Sequence, residues 1–274
     1  MTADPMRLYR LYYESQPRGV RRLLSRLCSD ERHVLVVGQT GSGKTTLVKA
    51  MLGAWGDSFT VLDFNCEYPW GESVERRVRG DALPLFLRLS EPTLPQELLY
   101  LVLECERSVE ALLRGGLTRV LGEIYDVRVL NALRLRVNAF SALKGHGYSL
   151  PVVREVGEGP RMPLALAVLA DRLLDPGREL LVVEEAQYFQ RDCLSFLAAE
   201  GRKRGKKLAF ITNDVESVAP AIMHNSVVLV FRSLPRAFWE LGIPRPVALR
   251  RGEFLVVDPE DSKLRKFKLR FPWD

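Results

Sequence analysis

Eight residues, GQTGSGKT at positions 38–45, have the types and spacing to hold a polyphosphate. Glycines at 38, 41 and 43 allow backbone conformations closed to other residues, so that the N–H groups of Gly38, Gln39, Thr40, Gly41, Ser42 and Gly43 can turn toward an anion. Lys44 is placed to reach β- and γ-phosphates, the Thr45 hydroxyl to sit on Mg2+, and Thr46 to approach the α-phosphate. A helix starting near Lys44 adds its positive dipole end. The pattern arises by chance in roughly one chain in a hundred of this length at average glycine usage. Here an apolar run, His33–Val37, precedes it and the helix-forming TLVKAML follows, which is the context the chemistry requires.

Hydrolysis also needs a carboxylate near the metal and a group to orient water. LLVVEEAQ, Leu180 to Gln187, supplies both at the end of an apolar run: Glu184 toward Mg2+ and Glu185 as the carboxylate that polarises water for in-line attack. Ile211-Thr212-Asn213 ends a further run, and Asn213 is placed either to sense a γ-phosphate or to cap a helix. Just upstream, GRKRGKK (201–207) reads as solvated basic surface or as the source of an arginine that stabilises transition-state charge in a neighbouring subunit. No guanine-reading Asn/Thr-Lys-x-Asp motif, no LSGGQ-type signature and no arginine-rich lid appears, which argues against a GTPase, a transporter ATPase and a small-molecule kinase.

The elements that must position these groups read as an α/β fold with a mainly parallel sheet. Strands are expected at 33–37, 59–62, 180–183, 208–212 and 227–231, with a helix at 44–54. The tail alternates in 253–257 and 267–271 around DPEDS, as in a C-terminal β-hairpin at a sheet edge. Between about 92 and 175 long helical stretches suggest a helical insertion, with a Gly/Pro-rich loop at 145–163 and a helix at 164–174. Residues 1–32 form a basic N-terminal segment with an amphipathic helix at 18–28, leaving 33–274 as the catalytic domain.

The 274 residues, 47% of them hydrophobic, can bury a sizeable core, and the net charge of +6 suits a phosphate-bearing partner. Four scattered cysteines and three histidines make neither a zinc site nor a disulfide framework. No apolar run is long enough to span a membrane, so a soluble, cytoplasmic protein without membrane insertion is expected.

On these residues the chain, from about 33 to 271, resembles the HerA–FtsK superfamily of ring-forming P-loop ATPases, and within it the HerA branch. VLDFNCEYPW matches the D-x-x-G-E-Y pattern through Asp63, Glu67 and Tyr68, with Cys66 in place of Gly. VVEEAQ matches E-E-A-H, with Gln187 for His. EGRKRGKKLAFITNDVESVAPAIMHNSVVLVFR is similar to the stretch running from the arginine-finger helix through T-Q-[RK]-P, with Asn213 for Gln, and RGEFLVV is similar to a C-terminal segment. The resemblance implies a RecA/FtsK-like core, ATP and Mg2+ as cofactors, Arg202 as the arginine finger and Arg232 as a second trans-acting or sensing arginine. It implies a homohexameric ring that translocates double-stranded DNA, working in end processing with a NurA-like nuclease. HerA proteins also carry an N-terminal β-barrel, which 32 residues are too few to form. A barrel-less ATPase also resembles the genome-packaging ATPases of some archaeal viruses, whose partner is a portal or membrane protein. A regulatory ATPase acting on a protein without moving DNA is the alternative from another class.

Overall fold

The computed structural model describes residues 5–56, 58–69, 74–90, 127–154, 162–258 and 261–272. The chain divides into two compact units. The larger comprises Met1–Val74, Ser149–Gly157 and Gly177–Asp274, and the smaller Glu75–Tyr148 and Glu158–Pro176.

The larger unit is built on a sheet of eight strands. These are β1 (His33–Val37), β2 (Phe59–Leu62), β5 (Val152–Val153), β6 (Glu179–Val183), β7 (Lys206–Thr212), β8 (Ser226–Val230), β9 (Glu253–Asp258) and β10 (Asp261–Lys268). Their order is β10-β9-β8-β1-β7-β6-β2-β5. The six strands from β8 to β5 run parallel, and the β9–β10 hairpin closes the other edge antiparallel. β1, HVLVV, is central and buried at every residue, as expected of a β-branched run covered on both faces. Phe231, Phe254 and Phe267 stack across the hairpin side with centroids 5.1 and 5.6 Å apart.

Two expectations fail here. The loop foreseen at 145–163 contains β4 (Gly147–Leu150) and β5, and Val152 and Val153, β-branched, add the last parallel strand beside β2. β7 also starts at Lys206, so Lys206 and Lys207 of the basic cluster are buried rather than solvated. Lys206 Nζ pairs with Glu179 Oε2 at 3.0 Å, and Lys207 Nζ donates to the carbonyls of Asp30 (2.7 Å) and Arg32 (2.5 Å). Periodicity misses such strands because it reads lysine as surface, whereas a buried ammonium is held by specific acceptors.

One face of the sheet is covered by α3 (Lys44–Trp55), on which α1 (Pro5–Glu14) and α2 (Arg18–Ser29) pack. α2 buries Val20, Leu24 and Leu27, one stripe at helical spacing, and turns Arg18, Arg22 and Arg26 outward. α1 is a helix the arginine–tyrosine pattern did not signal. Its Tyr9 is fully buried and donates to the Pro69 carbonyl at 2.7 Å. Gly53 of α3 makes this approach possible, since a Cβ there would lie 2.1 Å from the Tyr9 carbonyl oxygen.

The smaller unit contains α4 (Leu83–Ser90), α5 (Val127–Leu143), α6 (Met162–Leu174) and the ribbon of β3 (Val74–Arg77) with β4. Buried Asp171 organises it, accepting from Arg79 Nε at 2.7 Å and from the Tyr148 hydroxyl at 2.5 Å. The helical stretch expected at 94–117 lies outside the described residues. Among the described residues no helix is long and apolar enough to cross a membrane.

Candidate active site

The loop from Gly38 to Gly43 leaves the central strand and enters α3 through left-handed glycines, φ +73° at Gly41 and +113° at Gly43. Gly38 has a different constraint: a Cβ would lie 2.6 Å from Phe231 Cβ. The N–H groups of Gly38 and Gln39 are held by the carbonyls of Thr212 (3.2 Å) and Arg232 (2.8 Å). These two bonds moor the loop to the end of β7 and to the second residue after β8. In the first turn of α3 the N–H groups of Lys44 to Thr46 precede the first intrahelical bond, Leu47 N to Gly43 O.

Lys44 folds back along the loop. Its Nζ donates to the carbonyls of Gly38 (2.7 Å) and Gln39 (3.2 Å) and to Asn213 Oδ1 (2.6 Å). Burial lowers its pKa, against the pull of Glu184, Glu185 and Glu67, which together place three carboxylates around one ammonium.

Those carboxylates differ sharply. Glu184 is buried and accepts from the Tyr68 hydroxyl. Burial raises its pKa to about 7, with Glu67 and Glu185 pushing the same way. Glu185 has left-handed backbone, φ +49°, and points its carboxylate to open amides: Asn65 Nδ2 at 2.8 Å, Asn213 Nδ2 at 3.4 Å and Gln187 Nε2. Gln187 Oε1 in turn accepts from Thr212 Oγ1 at 2.9 Å. Glu67, exposed, accepts the Thr45 hydroxyl on Oε2 at 2.6 Å.

Glu67 was present in the sequence only as part of a family pattern, and its place follows from Asp63. This fully buried carboxylate accepts the N–H groups of Glu67 (2.9 Å) and Tyr68 (3.0 Å), folding the loop after β2 back over the sheet edge. Arg154 braces the turn, 3.4 Å from Asp63 and donating to the Tyr68 carbonyl. At its apex Cys66 has φ +55°, the conformation for which the D-x-x-G-E-Y pattern uses glycine. Asn65, unforeseen, is presented to Glu185 by the same turn.

Lys44, Thr45, Glu184, Glu185 and Asn213 thus converge on one edge of the sheet, at the C-terminal ends of parallel strands, with Glu67 and Asn65 added. Arg232 lies at this edge through its backbone, with an exposed side chain. Arg202 does not. Its guanidinium donates to Asn225 Oδ1 (3.3 Å), and the Asn225 carbonyl meets the first residue of β1, His33, at the opposite edge. The five residues of β1, roughly 15 Å of strand, separate it from the loop.

Oxygen donors alone, the Thr45 hydroxyl and the nearby carboxylates, suit Mg2+. Among the described residues no group of three or more His, Cys, Asp or Glu forms a protein cage, and a nucleotide-bound Mg2+ does not need one, being held mainly by phosphate and water.

No family model matches the sequence and no curated protein matches it. Solved structures do. VirB4 of Thermoanaerobacter pseudethanolicus is 15% identical with a TM-score of 0.58, over 87% of this chain and 89% of that one. The plasmid coupling protein TrwB, in complex with a non-hydrolysable GTP analogue, is 16% identical with a TM-score of 0.51, over 93% and 87%. The genome packaging NTPase B204 of Sulfolobus turreted icosahedral virus 2, in complex with ATP-gammaS, is 14% identical with a TM-score of 0.46, over 88% and 98%. The phosphate loop leaving a central parallel strand, and the architecture shared with VirB4 and TrwB, give this chain the α/β P-loop NTPase fold that the HerA–FtsK resemblance implies.

Proposed function

We propose that this protein is a Mg2+-dependent ATPase of the HerA–FtsK superfamily, of the HerA branch, that forms a homohexameric ring and moves double-stranded DNA. The observation that carries the hydrolytic reading is the convergence on one sheet edge of a glycine-rich loop, one ammonium and three carboxylates in different environments. That TrwB binds a nucleoside triphosphate analogue on the same fold supports it.

Each group has a task. The backbone donors of the loop and the first turn of α3 bind the phosphates. Thr45 and Glu67 would hold Mg2+, with Glu184, ionised above about pH 7, adding charge behind them. Mg2+ held there would supply positive charge to offset that developing on the phosphate oxygens. Glu185 accepts the proton of the attacking water, and Asn65 and Gln187 set the direction of its carboxylate. Asn213 bonds Lys44 and Glu185 together, so a γ-phosphate that draws Lys44 away alters the tip of β7. This is a direct link from nucleotide to strand.

The ring reading is supported by Arg202, too far from its own loop to act there yet exposed for a neighbour's. The net charge of +6 supports a phosphate-bearing polymer as the load. A NurA-like nuclease, or a portal or membrane partner, follows from the HerA and packaging resemblances respectively. Steady-state ATP hydrolysis with and without linear duplex DNA, using Lys44→Ala as the blank, tests the reading. Several-fold stimulation by duplex is expected; turnover indifferent to DNA would instead favour a regulatory ATPase acting on a protein.

A further inference from the structure

The groups just described all concern the phosphate end of a nucleotide. They lie on one side of β1, at the tips of β7 and β6 and in the turn after β2. A triphosphate lying across the loop with its γ-phosphate toward Lys44, Asn213 and Glu185 extends its sugar and base to the other side, where β8, β9 and β10 follow in the sheet. β9 runs antiparallel to β8 and β10 to β9, so the start of β9 and the chain leaving β10 return to the phosphate-loop edge.

What they bring is specific. The Gly252 N–H donates to the Ser42 carbonyl at 2.9 Å, tying the Arg250–Glu253 turn to the loop itself. The Leu269 N–H donates to the Gly252 carbonyl at 2.8 Å, tying in the end of β10. A Cβ on Gly43 would lie 3.4 Å from Gly252 Cα, so the turn is directly against the start of α3. Gly252 has φ +79°, and a Cβ there would lie 2.9 Å from Phe271 Cε2, so its lack of a side chain lets the ring close onto the turn. Arg251 lays its guanidinium over this ring, 4.3 Å from the centroid. Phe271 is half-exposed and Arg251 exposed. An aromatic ring and a stacked guanidinium, fixed to the phosphate loop through two backbone hydrogen bonds, have the chemistry of a nucleobase platform.

We infer that Phe271 and Arg251 form the base-binding subsite of this nucleotide site, and that they recognise the base by stacking. The subsite rests on the nucleotide reading above and extends it. Stacking follows the area of the π-face and not the pattern of donors on its edge. Purine nucleotides therefore bind more tightly than pyrimidine nucleotides, with adenine and guanine close to each other.

Calorimetric titration of the whole protein with ATP, GTP, CTP and inorganic tripolyphosphate tests this, comparing wild type with Phe271→Ala, Phe271→Trp and Arg251→Ala. The loss expected for Phe271→Ala is roughly 10-fold in ATP and GTP affinity, the size of one aromatic–base stack. Tripolyphosphate, which has no base, keeps its affinity in every variant, and Phe271→Trp binds ATP as wild type does. A Phe271→Ala protein that loses tripolyphosphate and ATP affinity equally would show that the ring only braces the turn, which overturns the subsite. Unchanged ATP affinity in both alanine variants overturns it too. If wild type binds tripolyphosphate but prefers CTP to ATP, stacking is refuted while the phosphate loop stands. If it binds none of the four, the nucleotide reading itself falls.

Discussion

At the scale of single residues, environment separates chemically similar groups. Glu184 and Glu185 are adjacent, yet one is sealed behind Tyr68 and the other reaches three amides. Burial raises the Glu184 pKa to about 7, so the folded protein keeps a proton that the unfolded chain releases near 4.5. Folding is favoured by this group below about pH 4.5, and that contribution is lost as pH rises to about 7. His33 acts in the opposite sense. Burial lowers its pKa to about 4, so the unfolded chain binds a proton first and stability falls as pH drops from 6.5 toward 4. The two slopes oppose each other between about pH 4.5 and 6.5. Glu184→Gln is therefore expected to steepen the rise of unfolding free energy with pH in that window, by up to about 1.4 kcal/mol per pH unit relative to wild type. Denaturant titrations without nucleotide or Mg2+ would show it, and parallel profiles would refute a buried, proton-retaining Glu184. Cys66 presents a backbone cost instead. Its φ of +55° costs roughly 1 kcal/mol in a non-glycine residue. Cys66→Gly, with its gain reduced by the greater freedom of glycine in the unfolded chain, should raise stability by about 0.5 kcal/mol. A loss on thermal or chemical unfolding would mean the side chain makes contacts that outweigh the strain.

At the scale of elements, the first two helices are part of the core and not an appendage. Tyr9, Val20, Leu24 and Leu27 lie in one apolar cluster with β1, β8 and α3. The contact at Gly53 turns this into a test of sign. Replacing a helical glycine by alanine stabilises an uncovered helix by about 1 kcal/mol. Against α1, the new methyl group would meet backbone at 2.1 Å. A net loss of roughly 2 kcal/mol is expected for Gly53→Ala, since overpacking against backbone outweighs propensity. Chemical denaturation that showed a gain would mean that α1 does not dock on α3. The turn after β2 is the other decisive element: one buried carboxylate, Asp63, orders it and so presents Asn65 and Glu67 to the site.

At the scale of the whole molecule, Arg202 and the phosphate loop lie at opposite edges of the sheet, so the arginine-finger role proposed for Arg202 needs a second copy. Mixing Arg202→Ala with Glu185→Gln protein, each expected to be inactive alone, should restore a fraction of wild-type turnover, because mixed interfaces pair an intact carboxylate with an intact arginine. Mixtures as inactive as their components would refute action in trans. The phosphate loop, the carboxylate pair, most of the parallel strands and the closing hairpin were legible in the sequence alone. Each is a local pattern in which apolar runs, glycines and charges specify conformation within a few residues. Local pattern missed β5, two valines inside a Gly/Pro-rich stretch, and it missed α1 and the burial of Lys206 and Lys207, where surface-like residues are held by partners distant in the chain. It took the folded chain to bring Glu67 to Thr45 and Glu184 to Tyr68, to set Asn65 against Glu185, and to lay Phe271 on the Gly252 turn that bonds the loop. Those relations depend on sheet order and on which strand ends share an edge. They are fixed by hydrogen bonds between distant segments, and no local propensity encodes them.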